Sequence, residues 1–118
     1  MIMNDRDFVA GVRKEVLDAN LQIYRQMFAE SDAEKATDSY AREALRFYAS
    51  LDDSNKEMLF KIIRQVMVDT ISNLFGVFDG VTKLPQQPGP VTVELSGQRL
   101  DGTLQDQFLE MEEQQASK

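Results

Sequence analysis

Twenty of the 118 side chains are carboxylates, and none is a histidine, a cysteine or a tryptophan. Those residue types set the chemistry open to the chain. Histidine is the side chain that titrates near neutrality and the commonest metal ligand. Without it there is no Ser-His or Cys-His nucleophile pair. Without cysteine there is no Cys/His zinc site and no disulfide. Carboxylate, Lys, Arg, Tyr and Ser/Thr chemistry remains.

The carboxylates are densest near the C-terminus. From Asp101 to Glu113 there are five acids (Asp101, Asp106, Glu110, Glu112, Glu113) and no Lys or Arg. Residues 85–118 hold six acids and two bases, a balance of −4 within a net charge of −7. Asp106, Glu110 and Glu113 are spaced four and three apart, so a helix puts them on one face. Glu112 and Glu113 fall near the helix C-terminus, where the macrodipole disfavours negative charge. Such a local inconsistency marks functional sites. The functional reading is that Asp106, Glu110, Glu112 and Glu113 offer an acidic surface to a basic protein partner. The plainer reading is a solvated face that aids solubility, the usual fate of a charge run.

Other candidates are weaker. Asp69 interrupts an apolar segment, and a buried carboxylate there would carry a shifted pKa, but the helical wheel sets it near Gln65 and Ser72 on a polar strip. Asp52-Asp53-Ser54-Asn55 resembles the start of a calcium loop, yet Gly at position six and Glu at position twelve are missing. Helix capping explains it better. Gly76-x-x-x-Gly80 has the spacing of a helix-packing motif that belongs to membrane spans, and Gly80 reads as a helix cap. Tyr24, Tyr40 and Tyr48 could donate protons, but each lies on an apolar stripe, so core or interface packing with a satisfied hydroxyl is expected. No Gly-rich phosphate loop occurs. No catalytic residue, metal ligand or cofactor site is assigned, and no cofactor is expected.

These residues must be positioned by a mainly helical (α+β) fold. Apolar residues make up 42% and charged residues 28%, a globular balance. One domain over 1–118 is expected: a helical core over 1–80, a loop and hairpin over 81–100, and an acidic C-terminal helix with a frayed tail over 101–118. The first helix should run from Asp5 to about Ala29, capped by Asn4 or Asp5. Its apolar residues cover roughly 220° of the wheel, enough for two neighbours. Ser31-Asp32-Ala33-Glu34 fits a capping box and should open a second helix to about Leu51, with Tyr40, Ala44, Phe47 and Leu51 on one face. Ser54-Asn55-Lys56-Glu57 fits the same box and should open a third helix, the most apolar, ending near Phe78 before Asp79-Gly80. The three long helices are expected to pack as a bundle. All three prolines lie in Pro85–Pro90, a stiff loop. Val91–Leu95 alternates as a strand, pairing with either 81–84 or 98–100. The last helix should start near Asp101 or Thr103 and bury Leu104, Phe108 and Met111.

The start of the chain lacks the basic segment and apolar run of a secretory signal, and a cytoplasmic protein is expected. The acidic balance argues against nucleic-acid or anionic-membrane binding. The leading expectation is a non-catalytic interaction module, an inhibitor, immunity-type or adaptor protein. The alternative is a self-associating homodimer, suggested by the breadth of apolar surface on the first and third helices. A carboxylate enzyme using Mg²⁺ ranks third.

Overall fold

In the computed structural model, which describes residues 3–100 and 102–116, the N-terminal segment forms one continuous helical rod of three windings. Helix α1 (Asp5–Val12) passes into a π-helical segment (Arg13–Ala19) and then into α2 (Asn20–Glu30). Asn4 caps it: its side chain accepts from the Asp7 amide at 2.8 Å, and the Asp7 carboxylate reaches back to the Asn4 amide. The π winding matches the spacing of the buried residues. Val9, Arg13, Leu17 and Leu21 are four residues apart, and an α-helix overshoots by about 40° at each such step. The wider i→i+5 turn absorbs that drift, so Val9, Leu17 and Leu21 are all buried.

The second helix starts later than expected and is short. Ser31 ends the rod, its amide donating to the Met27 carbonyl, and Asp32 caps only a 3₁₀ turn (Ala33–Lys35). Asp38 then accepts from the Ala41 amide at 3.1 Å and opens α3 (Ser39–Ala49). Asp, Asn and Ser are comparable caps, so the Ser31 box lost to two aspartates. The same competition moves the next start: Asp52, not Ser54, caps α4 (Asp53–Phe78) through the Asn55 amide at 2.8 Å. Helix α4 ends as expected. Gly80 takes a positive φ of 82°, its amide bonds to Val77 and the Val81 amide bonds to Gly76, which is a Schellman closure.

Strands β1 (Glu94–Leu95) and β2 (Gln98–Arg99) pair antiparallel, Glu94 opposite Arg99 and Leu95 opposite Gln98. The partner is therefore the 98–100 segment and not 81–84. Ser96 and Gly97 both have positive φ, the backbone of a type I′ turn, whose twist matches the strands. Helix α5 (Leu104–Ala116) closes the chain. Asp101, the earliest proposed start of this helix, lies outside the described residues.

The core lies between α1, the π segment, α4, α5 and the hairpin: Val9, Leu17, Val68, Phe75, Leu100, Leu104 and Phe108. Fold class is mainly α with a small hairpin, yet the core-forming helices are not the three first expected. Helix α3 buries none of its residues fully. It is attached through Tyr48, whose ring packs against Phe28 at 5.2 Å and Phe60 at 5.9 Å between centroids. The expected stripe of α3 is accordingly half wrong, with Tyr40 and Phe47 exposed and Ala44, Leu45 and Tyr48 turned inward.

Candidate functional site

The acidic helix α5 divides its carboxylates between two roles. Asp106, Glu110 and Glu113 are exposed. Glu110 lies 3.7 Å from the Arg6 guanidinium, with both side chains about half exposed, a pair of little energetic weight. Glu112 departs from the predicted acidic surface. Its side chain keeps only 14% of its exposure and is held by two arginines. Arg13 Nε and Nη2 donate to Oε1 at 3.1 and 2.9 Å. Arg64 Nη1 donates to Oε2 at 2.9 Å and Nη2 to Oε1 at 3.0 Å. Asp18 stands 3.7 Å from Arg64 Nη2.

Three elements build this clamp. Arg13 opens the π segment, Asp18 lies near its end, and Arg64 projects from the middle of α4. Burial penalises the Glu112 charge, but the hydrogen bonds from Arg64 and Arg13 and their charges outweigh it, holding the carboxyl below the ordinary glutamate range. Arg64 is correspondingly raised, chiefly by its hydrogen bond to Glu112, with burial opposing. The unfavourable carboxylate at a helix C-terminus is thus offset by two guanidinium groups. The cluster is internally satisfied and presents no open coordination position. Its chemistry is to fasten α5 to the rod and α4.

The remaining candidates resolve individually. Asp69 is exposed and accepts from Gln65 Nε2 at 2.9 Å, whereas Ser72 is buried and meets Gln105 Nε2 at 3.2 Å; the two do not share a polar strip. Gly76 faces Gln105, whose side-chain atoms lie 3.1–3.3 Å from where a Cβ would stand. Tyr24 and Tyr40 are exposed and so lie outside the core, Tyr40 retaining 76% of its accessibility. Tyr48 packs inside, against Phe28 and Phe60. Asp79, read from sequence only as part of a helix stop, also caps α5: its carboxylate oxygens accept from the Leu104 and Gln105 amides at 3.0 and 2.8 Å.

The most unusual surface is apolar. On α4 the inward residues Phe60, Val68 and Phe75 are opposed by an outward row of Met58, Ile62 and Val66, with Leu74 further along. Ile62 is 55% and Val66 59% exposed. On the rod, Val16, Ile23 and Met27 form a second outward row with Tyr24 beside it, and Ile23 is 61% exposed. A groove of about 550 Å³ opens between α2 and α3, floored by Phe28, Ala44 and Leu45 and flanked by Tyr24, Met27 and Tyr40. The four-residue step Met58–Ile62–Val66 was visible in the sequence as helical periodicity, which does not say which apolar face is left open.

Comparison of the chain with protein-family models, with curated proteins and with solved structures yields no match. Among the described residues, no helix is long and apolar enough to cross a membrane.

Proposed function

We propose that this protein is a non-catalytic interaction module that binds polypeptide through the outward apolar rows of its rod and α4. The observation that carries the reading is the exposure of Ile23, Ile62 and Val66, each more than half accessible and each on a regular helical row. Monomeric proteins rarely leave large contiguous apolar patches in water, and such patches mark interaction sites. The acidic end of α5 supports the leading role less well, because Glu112 is spent on fastening the helix.

A photoreactive phenylalanine derivative placed at Ile62 or at Ile23 in living cells tests the proposal. Adducts with polypeptide should form at both positions and should be scarce at an exposed polar control such as Glu43. Equal labelling at Glu43 would defeat the reading. A second reading keeps a basic protein partner for Asp106, Glu110 and Glu113, and the exposure of all three favours it. It requires binding that weakens with salt and is lost when those three charges are reversed.

A further inference from the structure

We infer that the polypeptide covering these rows is a second copy of this chain, in an isologous homodimer. The inference rests on the interaction reading above and is carried by area and shape. The accessible surface is 8520 Å², whereas a compact folded monomer of 13.4 kDa exposes about 6,500 Å². The radius of gyration is 17.9 Å, against roughly 13.5 Å for a compact domain of this length. The chain therefore shows about 2,000 Å² more than a self-sufficient monomer of its mass. Half of that excess from each of two copies would bury about 2,000 Å² in total, already within the class of obligate homodimers.

The two rows lie at one height along the molecule. Arg25 meets Glu57 at 3.4 Å, Phe28 meets Phe60 at 6.2 Å between centroids, and Asp18 meets Arg64 at 3.7 Å. The rod and α4 are therefore antiparallel, with residues 16–28 at the same height as residues 57–66. Both outward rows fall inside that shared height. Ile23 and Met27 are four residues apart, on one face of α2. A two-fold axis presents the same patch twice, so a single chain supplies both halves of the contact.

Sedimentation equilibrium of the purified chain over a wide concentration range tests this. The wild-type protein should sediment at twice its 13.4 kDa chain mass. Ile62→Glu should raise the dissociation constant about a hundredfold or more, because symmetry puts two carboxylates into one apolar contact. Ile62→Ser removes the contact without adding charge and should weaken the dimer by a smaller factor, with the helical circular dichroism unchanged. A wild-type mass of one chain throughout overturns the inference; photo-adducts with a different protein would then still uphold the interaction reading. A stable dimer whose dissociation constant stays within about twofold of wild type in both folded variants also overturns it.

Discussion

Glu112 lies between two guanidinium groups, so its ionisation is linked to the docking of α5. Its pKa is lower folded than unfolded. Its contribution is therefore complete above the free glutamate value of about 4.3 and is lost as pH falls through the lower, folded value. Arg64 stays protonated over this range, so the titration belongs to the carboxylate. Glu112→Gln should destabilise the protein by about 1–3 kcal/mol at neutral pH, by leaving the arginines imperfectly paired. It should also flatten the acid limb of stability against pH. Urea unfolding at a series of pH values checks both, and an acid limb as steep as wild type would mean that other carboxylates govern acid unfolding. The acidic bias of the C-terminal helix was legible in its composition. Which acid turned inward was not, because Arg13 and Arg64 are 99 and 48 positions away. Local spacing put Asp106, Glu110 and Glu113 on one face and gave no sign that Glu112 had partners.

Helix boundaries and joints depend on a few short-range bonds, and these account for most of what differs from the sequence-based expectation. The lengths of the rod and of α4 were readable because apolar periodicity continues through both. Their windings and caps were not. A wheel drawn at one fixed angle per residue smears the π segment, and part of the apparent 220° of apolar coverage comes from mixing two pitches. Runs such as Ser31-Asp32 and Asp52–Asn55 hold several equivalent caps, and only the tertiary contacts choose. Asp79 is a joint of this kind, ending α4 and capping α5 at once. Asp79→Ala should cost about 1–2 kcal/mol, as loss of an N-cap does, and hydrogen exchange should accelerate first in the opening turn of α5. Uniform acceleration over all helices would show that α5 is no separate unit. At the hairpin, Gly97 at φ 82° is the position least tolerant of a side chain. Gly97→Ala should destabilise by about 1–2 kcal/mol, whereas Ser96→Asn supplies the preferred residue of a type I′ turn and should be neutral or stabilising. Thermal melts of the two variants, with opposite or unequal shifts in that order, check the turn assignment.

The molecule as a whole is extended, 49 × 38 × 27 Å, and its dense core occupies only the end where the rod, α4, α5 and the hairpin converge. The other end, where α2, α3 and the start of α4 meet, rests on the Phe28–Tyr48–Phe60 cluster with few fully buried side chains. Unequal burial implies that this end opens at lower free energy than the core, unless a partner covers it. Association and stability are then linked. If folding and pairing are coupled, the unfolding midpoint must rise with protein concentration, since binding stabilises only the folded chain. Ionic strength supplies an independent sign. Each copy carries −7, so two copies repel, and salt screens that repulsion over a Debye length of about 8–10 Å. Apolar pairing of identical acidic chains should therefore tighten as salt is added. Binding of a basic partner to Asp106, Glu110 and Glu113 should weaken. Calorimetric melts at several concentrations, repeated in low and moderate sodium chloride, read both effects. The expected result is a midpoint that climbs with concentration and with salt in the wild type, and that loses its concentration dependence in Ile62→Glu. A midpoint independent of concentration in all cases would leave the exposed rows without a second copy to cover them.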